Sequence, residues 1–542
     1  MIKKKNFNDM IVESKANGGV NQYICEDGTL SIYNFDTQNV GEVLERGDFW
    51  CQSTSHFISA GTGVGKTTMI FNKILPEAKK RRTKILVLVN RSSLALHYKK
   101  TIIKADDDAR HLDGRFTEKG LMMADNFEFG RFHVVTYQSI VRLNLDFQVY
   151  GIVIFDECQY FLSDCTFNRY TQRDLNYLMD KCKKTPKIFL TATPEECFFP
   201  IFYTENRTYR FERHMFFLYH FERKFDNISL TFFVDKNTLK VQADKNEKKW
   251  IIFVDSKHYG EDLVEFFNKD NQTKAVFLDA ESKYNEKKIY VNDLIESEDF
   301  QFKILIVTKA FDVGININTS NINMAIFSLN KTDFVQMLGR KRKGGDETVN
   351  VFIYLYSLEE IKDRISKNKR RLDEINNYNY TLQSPVYGEK IEFPYYADQG
   401  RYQKNFFTQP KIENEIEYLQ SITNNMEKSD DVFYNRLASL YLKWVEKNDE
   451  NVIEKIIDKD SENEKNNSIR SIVLEMLEHN NISAEMFNDV GKRILEIENP
   501  RKDNRRDRDK VTTTTVNRVI KKVGYNIKKK NDFYILIKER EC

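Results

Sequence analysis

The sequence of 542 residues carries 84 Lys and Arg against 81 Asp and Glu, a formal net charge of +3, with 41% hydrophobic residues including 40 Phe. That apolar content builds real cores and excludes a wholly disordered chain, and at roughly 100–200 residues per domain the length corresponds to three or four domains. No run of about 18 apolar residues occurs, so no membrane span is expected, and Lys3-Lys4-Lys5 lacks the apolar segment of a secretory signal.

Seven cysteines, at 25, 51, 158, 165, 182, 197 and 542, form no CxxC pair. They read as reduced thiols of a cytoplasmic protein, and the four between 158 and 197 match no iron–sulfur spacing. The eight His give no zinc signature. Residues 1–30 read as an N-terminal extension. From there short apolar runs at 56–60, 84–89, 132–137, 150–157 and 186–193 alternate with segments long enough for helices, the pattern of a mostly parallel α/β sheet. A second set follows at 250–255, 274–280, 302–310, 324–329 and 349–356. The reading is two tandem parallel-sheet domains, 31–215 and 216–370, with the aromatic and charged stretch 195–248 joining them and packing on the second sheet.

Nucleotide chemistry lies in the first block. Ala60-Gly61-Thr62-Gly63-Val64-Gly65-Lys66-Thr67-Thr68 follows a strand and precedes an apolar helical run. This is a phosphate-binding loop in its strand–loop–helix context, and it marks a P-loop NTPase. Its glycines let backbone N–H groups approach the phosphates of ATP, and the helix N-terminus favours the anion. Lys66 reaches the β- and γ-phosphates, and the Thr67 hydroxyl ligates Mg2+. Further on, Ile152-Val153-Ile154-Phe155 runs into Asp156-Glu157. Hydrolysis needs one carboxylate for the Mg2+ shell and a second to orient the attacking water, roles assigned to Asp156 and Glu157.

These motifs, with six weaker segments in order from about residue 56 to 343, resemble the superfamily 2 helicases and translocases. The resemblance implies two RecA-like domains with ATP in the cleft between them. It implies backbone contacts to nucleic acid from Arg91 in Asn90-Arg91-Ser92-Ser93-Leu94 and from Thr136 and Gln138 in Val135-Thr136-Tyr137-Gln138-Ser139. It also implies coupling through Thr191-Ala192-Thr193. In the second block the matching residues are Ser256 and Lys257, Thr308 for nucleic acid, and Gly314 for the nucleotide. Gln336 and Arg340 lie in Gln336-Met337-Leu338-Gly339-Arg340-Lys341-Arg342-Lys343. Where the family pattern places a second Arg the chain has Lys343, so the arginine finger is open between Arg340 and Arg342. The spellings are most similar to the herpesvirus origin-binding-protein-like and the phage or plasmid helicases, and Asp156-Glu157-Cys158-Gln159 is not the spelling of an RNA-specific DEAD-box protein. Gln52 lies too near the loop for a Q-motif.

Beyond residue 370 the strand rhythm stops, and residues 371–499 read as a mainly helical accessory domain. Phe433, Leu437, Leu440, Tyr441, Trp444 and Val445 recur at three and four, one buried helix face. Residues 500–542 form a basic module. From 501 it holds 14 Lys and Arg against six acids, net +8, which leaves residues 1–500 at −5. Val516, Val519, Ile520 and Val523 predict a helix ending at Gly524, and 533–537 a strand. Lys521, Lys522, Lys528, Lys529 and Lys530 are the predicted phosphate contacts, with DNA favoured over RNA. The sequence therefore predicts a Mg-ATP-dependent helicase or translocase, acting on DNA in replication or repair of a phage or mobile element. The alternatives are an RNA helicase and an ATP-switched nucleic-acid sensor in defence.

Overall fold

The computed structural model describes residues 6–25, 28–36, 40–43, 49–61, 63–209, 214–222, 225, 227–269, 273–283, 285–309, 317–341, 347–377, 391–398, 400–424, 430–445, 447, 456–457, 469, 472–473, 475–476, 482–498, 511–521, 525–530 and 533–538. The chain divides into two units, Met1–Phe232 with Lys240–Ile453, and Phe233–Leu239 with Glu454–Cys542.

The larger unit contains both sheets. The first is built from β1 (Val20–Cys25), β2 (Gly28–Phe35), β3 (Thr54–Ser59), β4 (Lys84–Val89), β5 (Glu128–Phe129), β6 (Phe132–Thr136), β7 (Tyr150–Asp156), β8 (Lys187–Thr191) and β9 (His214–Phe221), in the order β1-β2-β9-β3-β8-β7-β4-β6-β5. β4, β7 and β8 are rich in Val, Ile, Leu and Phe because helices cover both faces, and their side chains, like those of the more polar β3 (Thr-Ser-His-Phe-Ile-Ser), are almost all buried. From β2 across the sheet to β6 every neighbouring pair is parallel, and only the rim hairpins β1/β2 and β5/β6 are antiparallel. The second sheet contains β10 (Ile228–Phe233), β11 (Lys249–Val254), β12 (Ala275–Leu278), β13 (Ile304–Thr308), β14 (Ile322–Ile326) and β15 (Val349–Tyr354), ordered β12-β13-β11-β14-β15-β10. Each of the ten strands predicted from apolar runs forms, in two parallel α/β sheets of RecA-like type.

The structure redraws the edges of the lobes. The predicted division at 215/216 falls inside β9, which pairs in parallel with β2 and β3, so the first lobe runs through Phe221. Stretch 195–248 thus contributes β9 to the first sheet and only β10 to the second. The extension predicted over 1–30 is also part of the first lobe. Its helix Phe7–Ala16 buries Phe7, Met10 and Ile11 in one core with Leu30, Ile32 and Phe57.

Residues 371–499 do not form one helical body, because their apolar faces find different partners. Helix Leu358–Asn377 follows the second lobe, where Arg364 pairs with Asp255 at 2.7 Å. The chain then reaches the first lobe. Arg169 donates to the carbonyls of Ile391 and Tyr395 at 3.0 and 2.8 Å, and the hairpin β16 (Tyr395–Asp398) and β17 (Arg401–Lys404) follows. Asn405 donates to Thr171 at 2.9 Å and Thr408 to the Cys165 carbonyl at 2.7 Å. Helix Thr408–Thr423 returns along helix Leu358–Asn377. Helix Asp430–Trp444 buries the predicted face on the second lobe, with Tyr441 and Trp444 against Phe334 at 5.3 and 5.4 Å. Helix Ala484–Glu498 instead belongs to the smaller unit, where it shares a core with residues 511–527. No helix among the described residues is long and apolar enough to cross a membrane, and Cys158, Cys165, Cys182 and Cys197 are buried free thiols.

One fully buried ion pair ties β8 and β9 to helix Phe198–Tyr209. Lys187 lies 3.1 Å from Glu205, which also accepts from Ser55 at 2.7 Å, and Lys187 donates to Tyr209 and the Cys182 carbonyl. Burial alone raises the Glu205 carboxyl, but Lys187, His214 and Ser55 outweigh it and hold it below its usual range. Removing one partner of such a pair leaves an uncompensated buried charge. Glu205→Ala is therefore expected to destabilise the first lobe by about 3–5 kcal/mol in denaturant unfolding.

Candidate nucleotide and nucleic-acid site

Parallel pairing brings the carboxyl ends of five strands to one edge of the first sheet, where ligand sites form in open α/β folds. Ser59 lies opposite Thr191, Asp156 opposite Leu190, and Val89 opposite Thr136. The phosphate loop leaves β3, Arg91 follows β4, Thr136 ends β6 with Gln138 in the turn beyond it, Asp156 ends β7 and Thr191 ends β8.

Ala60 opens the loop by donating its N–H to the Thr191 carbonyl at 3.0 Å. Gly63 and Gly65 take φ of 78° and 85°, and Gly65 is the N-cap of helix Lys66–Met69, a left-handed position that a side chain would strain. Lys66 is held over the loop by the carbonyls of Ala60 and Gly61 at 2.8 and 3.0 Å. Thr67 is half-buried, and Thr68 is exposed. Val64 accepts from the Val40 N–H at 3.2 Å, so the short helix Val40–Val43 supports the loop. Thr62 lies outside the described residues.

Asp156 is 6% exposed. Its Oδ1 accepts from the Glu157 N–H at 3.0 Å and its Oδ2 from the Tyr98 hydroxyl at 2.8 Å. Burial, then the neighbouring Glu157 charge, pushes its carboxyl up to about 6, against the pull of Lys66. Glu157 adopts a left-handed φ of 52°, an arrangement that functional sites tolerate at a cost of about 1–3 kcal/mol. Its carboxylate accepts from Gln159 Nε2 at 2.6 Å; Gln159 Oε1 accepts from the Thr191 hydroxyl at 2.7 Å; Thr191 Oγ1 accepts from the Thr193 N–H at 2.9 Å. Thus the two acids connect in two steps with Thr191-Ala192-Thr193.

Tyr98 and Gln159 were not singled out by sequence reasoning. Tyr98 is fully buried on helix Ser92–Ala105, and its hydroxyl hydrogen-bonds Thr67 as well as Asp156, joining the two residues predicted to hold Mg2+. Its position follows from how that helix docks on the sheet, which local spacing does not reveal. The donors here are a hydroxyl and a carboxylate, hard oxygens suited to Mg2+. Among the described residues no cluster of three or more His, Cys, Asp or Glu forms a protein-only metal cage. The donor set thus fits an ion completed by nucleotide and water rather than a structural metal.

Arg91 pairs with Asp164 at 2.5 Å, and Gln138 donates to the Asn90 carbonyl at 3.1 Å, so these two predicted contacts are neighbours. Thr136 shares a hydrogen bond with Ser139 at 3.0 Å. In the second lobe Ser256 caps helix Lys257–Phe267, while Lys257 pairs with Asp279 and Glu281 at 2.7 and 2.9 Å. Lys257 and Thr308 line a cavity of about 400 Å³ together with Ser163 and Glu196 of the first lobe and Arg364 and Lys411 of the returning segment. Its cations are matched by acids: Lys309 with Asp333, Arg364 with Asp255, and Lys411 with Glu196.

Gln336 lies buried on helix Lys331–Leu338, and Arg340 follows it, 7% exposed, with its Nε lacking a hydrogen-bond partner among the described residues. Lys331, first in that helix, pairs with Glu195 at 3.0 Å, two residues past Thr193. Gly314, Arg342 and Lys522 lie outside the described residues. Lys521, Lys528 and Lys529 are exposed in the smaller unit, and Lys530 ends its first hairpin strand. Gln52 lines a different cavity of about 670 Å³ with Thr83, Gly151 and Pro186 at the strand-start edge, away from the loop.

Residues 36–196 match the family described as type III restriction enzyme, res subunit, and residues 234–345 match the helicase conserved C-terminal domain. No curated protein matches the chain. Among solved structures, S. cerevisiae Dbp5 bound to RNA and ADP BeF3 is similar at 15% identity, over 58% of this chain and 82% of that one, with a TM-score of 0.41. Mss116 bound to ssRNA and AMP-PNP is similar at 14% identity, over 76% of this chain and 85% of that one, with a TM-score of 0.46.

Removing the Tyr98 hydroxyl tests its place in the site. A hydrogen bond to a charged group contributes about 1.5–3 kcal/mol, so Tyr98→Phe is expected to lower kcat for ATP hydrolysis about tenfold or more, with KM for ATP little changed. Steady-state kinetics check this, and an unchanged kcat removes Tyr98 from the site.

Proposed function

The chain belongs to the superfamily 2 helicases, which hydrolyse ATP to move on or unwind nucleic acid, and from that premise we propose a DNA helicase or translocase that serves replication or repair of a phage or other mobile element. Lys66 grips the β- and γ-phosphates and the loop N–H groups surround them. Thr67 and Asp156 hold Mg2+, which when bound neutralises charge on the transferring phosphoryl group. Glu157 orients the attacking water and takes up its proton, its carboxylate steadied by Gln159. Arg340 or Arg342 supplies the guanidinium from the second lobe, beside Gln336.

The observation that carries this reading is the continuous path from Glu157 through Gln159 and Thr191 to Thr193, and on through Glu195 to Lys331 on the helix bearing Gln336. It gives loss of the γ-phosphate a route to the second lobe, as a motor requires. Arg91, Thr136, Gln138, Ser256, Lys257 and Thr308 are proposed to grip the strand, the paired cations exchanging carboxylates for phosphates. The basic C-terminal residues suit the phosphates of a nucleic acid, and we take DNA as its form from the restriction-enzyme description of the family that the first lobe matches.

ATP hydrolysis measured with single-stranded DNA, duplex DNA and RNA tests the reading. DNA is expected to stimulate turnover more than RNA, and Lys66→Ala to abolish the stimulation; stimulation by RNA alone transfers the motor to RNA. Thr191→Val is expected to leave most of the DNA-stimulated hydrolysis while reducing strand separation on a labelled fork, because it breaks the path beyond Glu157. Equal loss of both activities would remove the path from the mechanism.

A further inference from the structure

The smaller unit has its own core. Helix Thr513–Ile520 buries Val516, Val519 and Ile520 against Phe487, Val490 and Ile494 of helix Ala484–Glu498. The two helices pack so closely that a Cβ on Gly491 would meet Val511 at 2.3 Å and Val516 at 3.1 Å. Thr512 caps the shorter helix in a capping box with Thr515. A hairpin, Tyr525–Lys530 with Phe533–Lys538, stands beside it. Asn517 locks helix to hairpin by bonding both backbone groups of Ile527, at 2.9 and 2.7 Å. Ile482 adds a third, one-residue strand through two hydrogen bonds to Tyr534, whose ring stacks on Phe487 at 4.0 Å.

What this core holds outward is polar and cationic. Thr514, Arg518 and Lys521 are exposed at positions i, i+4 and i+7, one face of the helix, and Lys528 and Lys529 are exposed on the hairpin. Residues 511–530 contain six Lys or Arg and no acid. We propose that helices Ala484–Glu498 and Thr513–Ile520 with strands Tyr525–Lys530 and Phe533–Lys538 form a reader of double-stranded DNA, with helix Thr513–Ile520 laid in the major groove and Lys528 and Lys529 against the flanking phosphates. The inference rests on DNA as the motor's partner and specifies the form of DNA and the face that meets it.

Three features favour a duplex. A helix about 10–12 Å across fits a major groove about 12 Å wide. Arg and Thr at the exposed positions are donors and acceptors for base edges, while a rigid basic ribbon beside such a helix sets its register on phosphates. Single strands are held by exposed aromatic platforms. Among the described residues of this unit no large apolar side chain is exposed, and Tyr534 is covered by Phe487 and by Lys529.

The test uses the full chain and fluorescence anisotropy with fluorescein-labelled DNA duplex, single-stranded DNA of the same sequence, and the corresponding RNA duplex, whose deep narrow major groove does not admit the helix. Wild type is expected to prefer the DNA duplex. Arg518→Glu is expected to weaken duplex binding about tenfold or more, consistent with base contacts of about 1–3 kcal/mol each. The Lys528→Glu, Lys529→Glu pair is expected to reduce the dependence of duplex affinity on salt. All three positions are exposed, and unchanged thermal melting confirms folding of each variant. Hydrolysis stimulated by single-stranded DNA is expected to stay within about twofold of wild type in Arg518→Glu, since Arg518 belongs to neither the phosphate loop nor the Asp156-Glu157 pair. Unchanged duplex affinity in both variants, an equal loss for single strands, or equal binding of the RNA duplex would overturn the proposal. If no DNA stimulates hydrolysis while Arg518 still governs duplex binding, the DNA-motor reading fails and the duplex reader stands.

Discussion

Parallel strand pairing in the first sheet is the constraint on which the site depends. A strand that ends in a reactive segment is useful only if its neighbours end at the same edge, and antiparallel pairing would send alternate segments to the opposite side. Here β3, β4, β6, β7 and β8 all run in parallel register, so the loop, Arg91, Thr136, Asp156 and Thr191 emerge together. The antiparallel additions β1 and β5 are confined to the rims, where they do not disturb this alignment.

Within that edge, burial sets the electrostatics. A carboxylate withdrawn from water needs compensation, and Asp156 finds it in one backbone N–H, one phenol and the nearby Lys66 ammonium. Tyr98 also meets Thr67, so one buried hydroxyl touches both residues proposed to hold Mg2+. Glu157, one residue on, turns away through its left-handed backbone and is steadied by a different side chain, Gln159. Adjacent acids in sequence thereby acquire separate environments, as the separate roles proposed for them require.

The parts of the site that depend on local chemistry were legible in the sequence. Lys66 and Thr67 follow glycines that fix their backbone, and Asp156 and Glu157 end an apolar strand. The parallel α/β class followed from the same apolar runs. What stayed hidden depends on contacts distant in the chain. Tyr98 reads as one more aromatic on an amphipathic helix until that helix lies over β7. The alternation in β9 suits either sheet, and only its pairing with β2 and β3 assigns it to the first lobe. The helical stretch after residue 370 has the period of helices but no mark of which lobe each face covers; Phe334 and Arg169 decide that. In the basic tail the predicted helix forms over Thr513–Ile520, whereas Lys528-Lys529-Lys530, read as preceding a strand, forms a strand itself.

The segment that leaves helix Leu358–Asn377, touches the first lobe from Ile391 to Thr408 and returns as helix Thr408–Thr423 bears on how the gene can vary. Both ends are anchored by backbone and side-chain hydrogen bonds at fixed sites, so the length between Arg169's two carbonyl acceptors and the Cys165 contact is set by the span it crosses. Insertions and deletions that a surface loop absorbs would here shift Asn405 or Thr408 out of register with Thr171 and Cys165. Among relatives, length variation should therefore be sparse across 391–408, even where the amino acids themselves drift.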